Sequence, residues 1–202
     1  MSNLDLDARI AALERRAQAV EDELAIRNLI VRYGLAVDLG DAQGVADLFT
    51  PDAEFEVGSA SSDLSGEDIV FKGREQIKND LVLGPHQSLL PNCAHTIGPV
   101  IVRVSQHRAE ATGYSRIYLR RGKGQPGDHI HLFRLAFNRW DLEKQEDGSW
   151  LISRRSSRVL GEAGAHALFR KGLSSDPSPP APRLTEAGDL KDSGRAAPLE
   201  ER

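Results

Sequence analysis

The second half of the chain is dominated by four long runs that alternate apolar and polar residues, 96–105, 108–121, 128–142 and 149–160. They are joined by the turn sequences SQH, GKGQPG and EDGS. Period-two patterning places one apolar face on each strand, and short turns join neighbours, so these runs predict an antiparallel meander. A half-buried sheet needs a cover, and the preceding sequence supplies one. Ile26, Leu29, Ile30, Tyr33 and Val37 recur at helical spacing, with Asp22 expected as the cap and Gly40 as the stop. Asp41 is expected to cap a short helix carrying Val45, Leu48 and Phe49, ended by Pro51. AEFEVG at 53–58 and DIVF at 68–71 read as strands, 73–83 as a helix, and 162–172 as a short closing helix. Helices first and an antiparallel sheet later define the α+β class.

Three regions emerge. Residues 1–21 form an amphipathic helical segment in which Leu6, Ile10, Leu13, Ala17 and Val20 alternate spacings of four and three, an a/d seam that runs on to Leu24. Residues 22–173 form the domain. Residues 174–202 hold five of the ten prolines and almost no large apolar side chain, so they are expected to be a disordered tail. The seam and the open face of the sheet together predict a homodimer or homotrimer.

Charge and composition narrow the partners. Twenty-six basic against 30 acidic residues give −4, which does not favour nucleic acid or an anionic membrane. No apolar run is long enough to span a bilayer, and the N-terminus lacks the apolar core of a signal peptide. A single cysteine, Cys93, excludes an internal disulfide and a Cys-rich zinc site. The expectation is a soluble, cytoplasmic protein.

Several residues are candidates for chemistry. Asp38 closes an apolar helix where the macrodipole disfavours an anion, and Gly34 sits one turn earlier. The pair suggests a pocket; a solvated helix end is the alternative. His95 opens the strand HTIGPVIV, where a histidine is either a hydrogen-bonded structural group or a general base oriented by Asp38. Tyr33 lies about 140° around the helix from Asp38, so it is a core aromatic unless both flank one cavity. Arg154 and Arg158 share one face of the last strand and Arg155 takes the other; alternation alone does not say which face meets an opening. His129 and His131 lack a third ligand nearby, so no metal is expected. GKGQPG lacks the context of a phosphate loop, and no GxSxG occurs.

Taken together, EDELAIRNLIVRYGLAVDLGD, VADLFTPDAEFEV, FKGREQI, HTIGP and GSWLISRR resemble the SnoaL-like branch of the NTF2-like superfamily over about residues 20–162. The resemblance implies a cone: a curved antiparallel sheet wrapped by N-terminal helices around a deep apolar pocket. Within that superfamily the sequence is similar to the cofactor-free lyases, including scytalone dehydratase, bile-acid 7α-dehydratase and hexachlorocyclohexane dehydrochlorinase. That similarity implies an Asp–His dyad at Asp38 and His95, a supporting Tyr33, and a late-strand arginine. Arg155 is favoured over Arg158 for that position, and Tyr114 or Tyr118 is the nearest candidate for a further polar group on a middle strand. The implied activity is elimination without a cofactor from a hydrophobic, oxygenated small molecule. It is either a dehydration or release of formaldehyde from a lignin-derived diaryl diol. The alternatives are an isomerase using the same base and a binding module without catalysis.

Overall fold

The computed structural model describes residues 3–58, 68–122, 129–162 and 164–174; of residues 3–5 and 174 the backbone alone is described. The expected tail lies outside the described residues apart from Ser174, as does most of the polar loop before the second strand. Helix α1 spans Asn3–Asp38 and α2 spans Ala42–Ala46. Strands β1 (Phe49–Val57) and β2 (Ile69–Lys72) follow, and then the short helix α3 (Arg74–Gln76), which continues as a π-helical turn over Ile77–Val82. A 3₁₀ turn (Pro85–Leu89) leads into β3 (Cys93–Ser105), β4 (Arg108–Arg121), β5 (His129–Lys144) and β6 (Trp150–Val159), and α4 (Ala165–Ser174) closes the described fold.

The six strands form one curved sheet in the order β2-β1-β6-β5-β4-β3. The last four strands pair antiparallel in sequence order, as the turn signals imply, whereas β1 joins β6 in parallel. The protein is therefore α+β, with α1 laid across one face of the sheet. Ile26, Ile30, Tyr33 and Val37 of α1 pack with Phe49, Phe55, Trp140, Leu142 and Ile152, all buried. On the opposite face, Phe169 of α4 packs edge-on against Tyr114 and Phe137.

Three local expectations are corrected. Asp22 does not cap a helix: α1 runs through it without a break, and its buried carboxylate ties the helix to the sheet. It accepts hydrogen bonds from Lys144 Nζ at 2.7 Å and Trp150 Nε1 at 3.0 Å. Burial alone raises its pKa, but the hydrogen bonds and charge of Lys144, with Trp150 and Gln18, outweigh burial and hold Asp22 below the ordinary carboxylate value. Pro51 does not end α2 but lies within β1, where the pairing with β6 skips between Phe49 and Glu54 and no ladder donor is needed. The helix expected at 73–83 is α-helical for only three residues before the wider π turn. The Asp41 cap is formed, its side chain accepting from Gly44 N–H at 2.8 Å.

Removing Asp22 leaves a half-buried ammonium and a buried indole N–H without their acceptor. Asp22→Ala should therefore cost roughly 1–3 kcal/mol, against a few tenths for Asp41→Gly at the exposed cap. Urea unfolding of both variants measures the difference, and equal small losses would show that Asp22 does not anchor α1.

Candidate active site

Asp38 is the last residue of α1, and its carboxylate points at the start of β3. One oxygen, Oδ2, accepts the backbone N–H of His95 at 2.7 Å. The other, Oδ1, lies 2.6 Å from His95 Nδ1 and 3.6 Å from the Cys93 thiol. Both oxygens are thus engaged by one residue, which compensates for an anion placed at the negative end of a helix. Gly34 explains why helix and strand approach so closely. A Cβ there would meet the carbonyl oxygen of His95 at 3.0 Å and its Cβ at 3.3 Å.

The bond from Nδ1 to a carboxylate fixes the neutral ring of His95 as the Nδ1–H tautomer and leaves the Nε2 lone pair to accept a proton. The His95 side chain is only 5% exposed. Burial, the largest influence, pushes its pKa below the ordinary histidine value; Asp38 opposes this, and Arg155 and Arg134 add to it. Cys93 is pushed up to about 11, chiefly by burial and then by Asp38, so it is a protonated donor and not a nucleophile. Asp38, Cys93 and His95 are the one cluster of potential metal ligands among the described residues, and their atoms bond to one another.

His95 forms one wall of a cavity of about 340 Å³. Aromatic and aliphatic side chains supply most of its surface, among them Phe55, Phe71, Leu81 and Phe133, and the rest of the lining is polar, including two histidines, two arginines and three serines. Tyr33 is almost fully buried on α1, edge-on to Phe49 and Phe55, and reaches the same cavity. Arg155 enters it from β6: its Nε and Nη2 both donate to Asn138 Oδ1, at 3.1 and 3.0 Å, and the guanidinium lies 4.3 Å from the Tyr33 ring centroid. Nη1 of Arg155 makes no formed hydrogen bond among the described residues, although the Tyr33 hydroxyl offsets part of the cost of burying the charge. The structure thus brings Asp38, His95, Tyr33 and Arg155 together.

Other candidates lie elsewhere. Arg154 and Arg158 point to the opposite sheet face, where both pair with Glu56. Ser115 and Ile117 are the β4 residues that line the cavity, so Tyr114 and Tyr118 alternate away from it, and Tyr114 packs under α4. The His129 and His131 rings pack against each other, 5.7 Å apart, and do not line the cavity.

Three polar residues at the site escape a reading of the sequence. His86 lies on the 3₁₀ turn, its Nε2 3.0 Å from His95 Nε2 and its ring stacked on that of His95. Burial pushes His86 down to about 3, helped by the charges of His95, Arg155 and Arg134, while Asp38 pulls the other way. Neutral His86 therefore donates Nε2–H to the Nε2 lone pair of His95. Arg134 reaches the cavity because β5 carries one extra residue opposite the Ile117–Tyr118 step, so the consecutive residues Phe133 and Arg134 both face inward. Asn138 supplies the acceptor for Arg155 and also donates to Ser115 Oγ at 2.8 Å.

A curved sheet behind a long helix, closed over an apolar cavity with an Asp–His pair at its wall, defines an NTF2-like protein. The chain belongs to the SnoaL-like family, whose model matches residues 18–156. An NTF2-like protein with a cystatin-like fold from Novosphingobium aromaticivorans is 32% identical, with a TM-score of 0.64; the match covers 83% of this chain and 97% of that one. A protein provisionally named a scytalone dehydratase from the same species is 19% identical over 71% of this chain and 87% of its own, with a TM-score of 0.56. The hexachlorocyclohexane dehydrochlorinase LinA-type3 of Novosphingobium barchaimii is 20% identical over 72% and 90%, with a TM-score of 0.55. These last two share the fold. No curated protein matches the sequence. No helix among the described residues is long and apolar enough to cross a membrane.

The depressed histidines link folding to pH. Between the unfolded-state value near 6.5 and the lower folded value, the unfolded chain binds more protons, so stability falls as pH drops through this window. It is fully present above about pH 6.5, and for His86 the loss continues toward pH 3. His86→Gln should flatten the decline between pH 6.5 and 4 in urea midpoints; an unchanged slope would mean that His86 is not buried neutral.

Proposed function

We propose that the protein is a cofactor-independent lyase that eliminates an oxygen leaving group from a hydrophobic small molecule. The observation that carries this reading is the 2.6 Å Asp38–His95 contact, with the opposite ring nitrogen of His95 turned to an apolar cavity. His95 Nε2 removes a proton beside the carbon that loses its oxygen, and Asp38 balances the imidazolium so formed. The buried Nη1 of Arg155 and the Tyr33 hydroxyl stabilise the departing oxygen or a developing oxyanion.

His86 enters through proton balance. With its Nε2–H seated on the base, it must yield when substrate arrives, and the freed N–H then serves as a donor to the leaving hydroxyl. The C–H proton taken up by His95 Nε2 passes to the departing hydroxyl, which leaves as water and returns His95 to its neutral form, while His86 keeps its own proton and the two rings close again to their 3.0 Å contact. The cavity is of a size for a mid-sized organic molecule, and its aromatic lining fits aryl or polycyclic alcohols. Dehydration takes the C–H proton, whereas release of formaldehyde from a diaryl diol uses the same base on the hydroxymethyl O–H, so that the C–C bond breaks and its electron pair expels the neighbouring hydroxyl, which leaves as water.

Turnover of candidate diaryl and polycyclic alcohols, followed by product mass, tests the reading. His95→Ala should reduce turnover by ~10²–10⁴-fold with little change in ligand affinity, and Asp38→Asn should do the same more mildly. Because His95 is held below its ordinary value, the wild-type rate should persist at pH 6.5 and decline only below it. A product of unchanged mass identifies an isomerase. Tight binding without conversion, or full turnover by His95→Ala, contradicts the lyase.

A further inference from the structure

Helix α1 is apolar on two sides. Ile26, Leu29, Ile30, Tyr33 and Val37 face the domain core. Leu6, Ile10, Leu13, Val20 and Leu24 lie on the other side and are between 45% and 67% exposed. At 100° per residue the two sets are centred roughly 160° apart, and Val31 and Leu35, also exposed, carry the outer stripe on over the domain. The helix therefore cannot bury this stripe on its own domain.

Spacing and charge identify the occupant. With Leu6, Leu13 and Val20 at d and Ile10, Ala17 and Leu24 at a, the e positions are Asp7, Glu14 and Glu21, and the g positions are Arg9, Arg16 and Glu23. In a parallel pair each g residue meets the e′ residue five positions later, so Arg9 meets Glu14 and Arg16 meets Glu21 of a second copy, and the reciprocal pairs double this. In an antiparallel pair over the same residues e faces e′ and g faces g′, which sets Asp7 against Glu21, Glu14 against Glu14 and Arg16 against Arg16, with Arg9–Glu23 as the favourable contact, so the balance of charge favours the parallel pair. A β-branched residue at a with leucine at d, as Ile10 stands between Leu6 and Leu13, favours two strands. The seam ends at Leu24 because Arg27, the next d residue, is turned to its own chain, where it pairs with Glu23 and donates to the Val100 carbonyl.

We propose that residues 6–24 of α1 form a parallel, two-stranded coiled coil with a second copy of this chain. The paired stretch is about 28 Å long and sets the two cavities side by side at one end of the coil. Sedimentation of the full chain should give twice the 22.1 kDa chain mass. Arg9→Glu with Arg16→Glu should weaken dimerisation at least tenfold, and adding Glu14→Arg and Glu21→Arg should restore it, with circular dichroism confirming folding. Under mild oxidation Ile10→Cys should give a covalent dimer, since a parallel register sets Ile10 against Ile10, whereas wild type, carrying only Cys93, serves as the control. A monomer, a trimer, or a dimer indifferent to the charge reversals and not cross-linked through position 10 would overturn the proposal.

Discussion

The site depends on one carboxylate that accepts from both the backbone and the ring of the same residue. Asp38 holds the His95 N–H and Nδ1 together, and so fixes where β3 begins, which way the imidazole faces and which tautomer it adopts. An anion at the C-terminus of a helix is unfavourable by itself, and a glycine inside a helix costs ~1 kcal/mol relative to alanine. Both costs are local to the last two turns of α1, and both serve one close approach, Gly34 against His95. The opposite end of the domain-facing stretch is fixed by Asp22, which grips Lys144 and Trp150. Two carboxylates, the buried Asp22 and the half-buried Asp38, thus set the position of α1 over the sheet, one for stability and one for chemistry.

The cavity collects basic groups in an apolar setting. His86, His95, Arg134 and Arg155 all line it, and the Asp38 carboxylate bonds to the His95 ring from behind. Low polarity and two guanidinium groups keep the imidazoles neutral, the form in which a histidine is a base. The same guanidinium groups attract negative charge that develops on a bound molecule. An environment that disfavours a proton on histidine and favours negative charge on a ligand is suited to deprotonation next to a departing oxygen.

Much of this was legible from the chain. Alternation and turn signals carry β3 to β6, and helical spacing carries the core face of α1, because both periods are fixed by backbone geometry. Family resemblance pointed to Asp38, His95, Tyr33 and Arg155, which meet at the cavity. The rest was set by contacts between distant residues. Asp22 has the composition of a cap, but its partners lie more than a hundred residues away. Arg134 faces inward only because a bulge breaks the period-two rule, and His86 sits on an irregular turn with no period to read. Pro51 stands in β1 because its neighbours skip a pairing with β6, which local rules do not foresee.

The central claim is that His95 is a neutral, Nδ1-protonated base held by Asp38. Nitrogen-15 NMR of the histidine side chains across a pH series observes this directly. The account predicts that His95 shows the neutral Nδ1–H tautomer at pH 7 and gains its second proton only below the ordinary histidine range, and that Asp38→Asn changes both. An imidazolium at pH 7, or the Nε2–H tautomer with no response to Asp38→Asn, would contradict it.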